Sequence, residues 1–70
     1  MAFAERFEYI LNLSKISKYR LARDLHFSHN SVLKWGRGLS EPKAWQIADI
    51  CTYLDVSADY LLGLSDNYWN

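Results

Sequence analysis

Residues 16–42 read ISKYRLARDLHFSHNSVLKWGRGLSEP. Leu21, Ala22 and Leu25 share helical spacing and predict a helix around 18–25; Val32 and Trp35 predict a second around 29–36. Each is introduced by the same phrase: an apolar residue, a Ser, and another apolar residue five positions after the first. Ile16-Ser17 with Leu21 is one instance and Phe27-Ser28 with Val32 the next. A Ser hydroxyl placed there accepts from a backbone N–H that the first helical turn leaves unpaired, and the flanking apolar groups clasp across it. Two short helices with so tight a link form a helix-turn-helix.

Working outward, the same grammar covers the rest of the chain. Phe3, Phe7, Ile10 and Leu11 form a stripe that predicts a helix around 3–13. Ala44, Ile47, Ala48, Cys51 and Leu54 predict one around 43–54, with Pro42 at or just before its start. Val56-Ser57 with Leu61 repeats the capping phrase and opens a short helix around 58–63. Gly36 and Gly38 are expected to end the third helix and Gly63 the fifth. No segment alternates long enough to make a strand. The expectation is an all-α domain of five helices over residues 1–66, with a polar-aromatic tail over 67–70. Phe7, Leu21, Ala22, Phe27, Trp35 and Ile47 are expected in its core, while Trp45 and Tyr53 fall off the cleanest apolar stripe.

Composition narrows the function classes. There is no apolar run of the length that spans a membrane, and the N-terminal MAFAERFEYI has acids and Arg6 spaced through it, unlike a signal peptide. Cys51 is the single cysteine, which excludes an internal disulfide or a cysteine zinc cluster. A reduced, cytoplasmic setting is expected. Net charge is zero, but the distribution is uneven. Seven basic residues against two acidic ones between Lys15 and Lys43 leave +5, balanced by one basic residue against six acidic ones, or −5, outside. Such asymmetry has two readings: an anionic partner that the total conceals, or basic residues that simply solvate a helix face.

The stretch ISKYRLARDLHFSHNSVLKWGRGLSEP, followed by IADICTYLDVSADYLLG (47–63), resembles the Cro/repressor type of bacterial and phage helix-turn-helix proteins, the lambda-repressor-like fold. The likeness runs from about Phe3 to Asp66. It rests on Leu21-Ala22, the Ser28 start, Val32 and Trp35, the Gly-containing loop to Pro42, and VSADYLLG. It implies a five-helix domain that binds operator DNA, usually as a dimer, to control transcription as a repressor. The chain departs from the family in places. His26 stands where members commonly have Gly, and His29 where they often have Gln. Leu11 and Gly36 stand where some members carry an Arg–Glu ion pair; both partners are absent together.

The outward face of the third helix then acquires a use. His29, Asn30, Leu33 and Lys34 are expected to meet base edges in the major groove: Asn pairs with adenine, Lys donates to guanine, and a Leu methyl meets the thymine methyl. No acid lies on this face. Lys18 matches a position where family members contact phosphate, and Ser28, Arg37 and Lys43 are expected to join it, Ser28 chiefly as a cap. Tyr60, Leu61, Leu64, Tyr68 and Trp69 form a C-terminal cluster with two readings. One is packing onto the first helix near Tyr9 and Leu13; the other, toward which the resemblance leans, is a homodimer contact. Double-stranded DNA is the expected partner, with no cofactor, metal or small-molecule ligand. The chain shows no nucleophile–base arrangement and no phosphate-binding Gly loop, so no enzymatic activity is expected. An alternative reading keeps the fold as a protein-interaction module, antirepressor or antitoxin-like, with little specific DNA binding.

Overall fold

A computed structural model describes residues 2–69; Met1 and Asn70, the outer ends of the expected domain and tail, lie outside them. The order is α1 (Ala2–Ser14), α2 (Lys18–Leu25), α3 (His29–Gly36), α4 (Ala44–Leu54) and α5 (Ala58–Leu61). The fold is all-α, as the periodicity predicts.

All five helices end in one way. A residue in the left-handed region follows each: Lys15 (φ 57°), His26 (φ 60°), Gly38 (φ 73°), Asp55 (φ 57°) and Gly63 (φ 85°). The next N–H then reaches back five residues: Ile16 to Leu11, Phe27 to Ala22, Leu39 to Lys34, Val56 to Cys51 and Leu64 to Asp59, at 2.7–3.1 Å. This bond satisfies a carbonyl that the last helical turn leaves open. Gly36 is therefore not a stop. It is the last residue of α3, and Gly38 is the one that turns. Helix α5 is shorter than expected, because Leu62 and Gly63 belong to its stop.

After three of these stops a new helix begins at once. Ser17, Ser28 and Ser57 accept hydrogen bonds from the N–H groups of Arg20, Ser31 and Tyr60. The clasping residues Leu21, Val32, Val56 and Leu61 are fully buried, with Ile16 and Phe27 packed against the core. Helix α4 has no Ser; the Lys43 N–H donates instead to the Gln46 side chain at 2.8 Å. Lys43 is thus its cap, and the buried Pro42 stands before it.

The core is centred on Phe7, Ile10, Leu21, Val32, Ile50, Val56 and Leu61. An aromatic series runs from it to the surface, Phe3–Phe7–Trp35–Phe27–Trp45, with ring centroids 5.3–6.4 Å apart. Such offset and edge contacts add to simple area burial. Two core expectations shift outward: Phe27 and Ile47 are half-buried. On α4 the inward stripe is Ile47, Ile50, Cys51 and Leu54, while Ala44 and Ala48 are exposed. An Ala methyl offers too little apolar area to orient a helix against an Ile.

Residues 65–69 fold back on the domain. The Ser57 N–H donates to the Tyr68 carbonyl at 2.9 Å, and Val56 and Trp69 form an isolated antiparallel bridge. Tyr68 packs edge-on against Tyr9 of α1 and Tyr60 of α5.

Candidate nucleic-acid interface

Helix α3 is held by its inner face. Val32 is fully buried and Trp35 nearly so, and they sit one turn apart against α1 and α2. That anchoring turns His29, Asn30 and Lys34 into solvent, with Leu33 half-buried beside them. The four expected base readers therefore share one outward face, with Ser28 at its head and Arg37 just past its end. No acid lies on α3, and among the described residues no ion pair engages Lys34, Arg37 or Lys43. Three cations are left to present their charge outward.

The turn that sets α3 against α2 is made by His26 and Phe27. His26 takes the left-handed conformation that Gly adopts without strain. Phe27 inserts between Trp35 and Trp45. A second brace comes from α4: the Tyr53 hydroxyl donates to Asp24 Oδ2 at 2.5 Å, while Arg23 Nε donates to Asp24 Oδ1 at 3.1 Å. These bonds, the Tyr53 one foremost, hold the Asp24 carboxyl below the usual range. The carboxylate in turn pushes the Tyr53 hydroxyl up.

One side chain outside the expected set also bears on this face. Tyr19 on α2 is 61% exposed, and its ring meets His29 edge-on at 5.5 Å. Tyr19 lies off the α2 stripe of Leu21, Ala22 and Leu25, so its exposure was legible; its pairing with His29 was not. Trp45 at the start of α4 is 58% exposed and leans on Phe27. Lys18 is not isolated: its Nζ lies 2.8 Å from Glu8 Oε2 of α1. Nothing in the spacing of residues 8 and 18 announces that ion pair.

The C-terminal cluster divides. Tyr60 and Leu61 are buried in the chain's own core, at 8% and 0% exposure, which leaves them no surface for a second copy. Leu64 and Trp69 are exposed at 75% and 48%, and Tyr68 lies half-buried between Tyr9, Tyr60 and Trp69.

The family model of the Cro/C1-type helix-turn-helix DNA-binding domain matches residues 6–67. The chain belongs to this family. No curated protein and no solved structure matches the chain. As a Cro/C1-type domain it takes DNA as its partner, and the geometry above shows how the chain builds the required parts: a buried-inside, polar-outside second helix of the motif, set by a left-handed turn. The matched stretch begins at Arg6, which ties α1 to α5 and to the residues after it. Its guanidinium donates to the carbonyls of Tyr60 (3.0 Å) and Ser65 (2.6 Å) and to Asp66 (3.0 Å). No helix among the described residues is long and apolar enough to cross a membrane.

Proposed function

We propose that this Cro/C1-type domain is a sequence-specific transcriptional repressor that lays α3 in the major groove of operator DNA. The observation that carries the reading is the outward face of α3, where His29, Asn30, Leu33 and Lys34 stand together without an acid. The major groove is wide enough to admit a helix, and its base edges offer the acceptors, donors and methyl groups that these side chains match. Lys18, Ser28, Arg37 and Lys43 hold the phosphates and fix register, contributing affinity rather than sequence choice. Ser28 donates through its hydroxyl hydrogen, since its oxygen already caps α3.

The repressor acts as a homodimer in the cytoplasm. Leu64, Tyr68 and Trp69 supply the apolar contact, with Tyr60 and Leu61 supporting them from within. Two copies then present their α3 helices about 34 Å apart, one turn of DNA. A selection from random-sequence duplexes at about 150 mM salt tests all of this together. Enrichment of a two-fold symmetric site is the expected result. A short asymmetric motif removes the dimer. Weak binding that disappears as salt rises removes the operator and moves the protein to a partner-binding role.

A further inference from the structure

Glu8 of α1 and Lys18 at the start of α2 meet above the last residue of α3. Gly36 makes the meeting possible. A Cβ there would lie 2.5 Å from Lys18 Cε and 2.6 Å from Glu8 Oε2, so any side chain at 36 would displace both. Asp24, the acid within α2 itself, is taken up by Tyr53, Arg23 and Arg20. Glu8 is different: it reaches a cation assigned here to phosphate.

We propose that Glu8 competes with DNA phosphate for Lys18 and so limits how tightly the domain holds DNA. The inference rests on Lys18 being a phosphate contact. A carboxylate and a phosphate both offer anionic acceptor oxygens to the same ammonium. When DNA docks, either Glu8 yields the amine, losing its ion pair, or it keeps the amine and faces the phosphate at like charge. Both outcomes subtract from affinity. Two unit charges about 7 Å apart in a water-like medium change a binding constant about three-fold, and more where protein displaces water. The effect is expected to shrink as salt screens it.

The test is a four-protein cycle: wild type, Glu8→Gln, Lys18→Met, and both changes together. Each is melted to confirm folding, then titrated into a labelled 20-base-pair duplex of mixed sequence from about 50 to about 200 mM salt. Glu8→Gln is expected to tighten binding about three- to ten-fold at the low end with Lys18 present, and to change it little in the Lys18→Met background. In the Glu8→Gln background, Lys18→Met is expected to weaken binding and to reduce the salt slope by about one. If that second comparison shows no change, Lys18 does not touch phosphate and the proposal falls with that reading. If Lys18 passes but Glu8→Gln tightens binding equally in both backgrounds, Glu8 is merely a distant charge. If Glu8→Gln weakens binding, the carboxylate positions the amine. Either of these last results overturns the competition and leaves Lys18 as a phosphate contact.

Discussion

Tyr53 of α4 donates its hydroxyl hydrogen to Asp24 of α2 at 2.5 Å, and that bond braces the motif from behind. Its pH window follows from both partners. Asp24 is held below the ordinary carboxylate range, so its contribution is present above about pH 4 and is lost as the pH falls through the depressed value. Tyr53 is raised, so its contribution is present below about pH 10 and is lost as the pH rises through the raised value. Tyr53→Phe is expected to lower the melting temperature at pH 7, and the gap from wild type is expected to close in acid. Thermal melts of both proteins between pH 2 and pH 8 check this; a gap that persists unchanged at the acid end removes the bond as its cause.

His26 holds a left-handed conformation at the turn between the motif's helices. For a non-Gly residue that conformation costs about 1–2 kcal/mol, offset in part by the greater chain entropy that Gly loses on folding. His26→Gly is expected to stabilise the domain by about 0.5–1 kcal/mol, a rise in melting temperature of roughly 4 °C. DNA affinity is expected to stay the same, because the substitution keeps the backbone path. A lower melting temperature would show that the imidazole makes a contact worth more than the strain it imposes.

That turn also shows what was legible in the sequence. Ser17, Ser28 and Ser57 announced three helix starts because a cap is a local event, satisfied within a few residues. Lys15, His26 and Asp55 announced the stops before them weakly or not at all, because left-handed backbone carries a strong residue-type signal only where Gly takes it, a weak one at Asp or His and none at Lys. The outward face of α3 was readable from Val32 and Trp35 alone. Glu8–Lys18, Tyr19–His29 and Asp24–Tyr53 were not readable. Each joins two helices, and their crossing geometry is fixed by packing rather than by spacing along the chain. The C-terminal tail left two readings open for the same reason: the sequence offered packing near Tyr9 beside a dimer contact, and Tyr68 does lie against Tyr9, fifty-nine residues earlier.

Arg6 is the tie that holds this tail. It donates to two carbonyls and a carboxylate, and its guanidinium carbon lies 4.5 Å from the Tyr60 ring centroid. Hydrogen bonds from a charged donor are worth about 1.5–3 kcal/mol, and a cation over an aromatic face adds about 0.5–1 kcal/mol where exposed. Arg6→Met is expected to destabilise the domain by about 2 kcal/mol. It is also expected to speed hydrogen exchange at the Ser57 amide, whose acceptor is the Tyr68 carbonyl. Unchanged exchange at Ser57 would assign the tail's order to the Tyr9–Tyr68–Tyr60 packing instead.

Asn30 and Arg37 are expected to separate reading from holding. Asn30 is on the outward face of α3; Arg37 lies just beyond its end, at the stop. An Asn amide can donate to and accept from one adenine edge, which discriminates that base by about 1–3 kcal/mol. Asn30→Ala is therefore expected to weaken binding to the selected duplex while flattening preference at a single base position. Arg37→Ala removes a charge that any phosphate accepts. It is expected to weaken all duplexes alike and to reduce the salt slope by about one. Titration of both variants against the selected site and its single-base changes decides the assignment. If Arg37→Ala alters preference at one position while Asn30→Ala does not, the groove is read from the end of α3 and its register on the DNA is shifted.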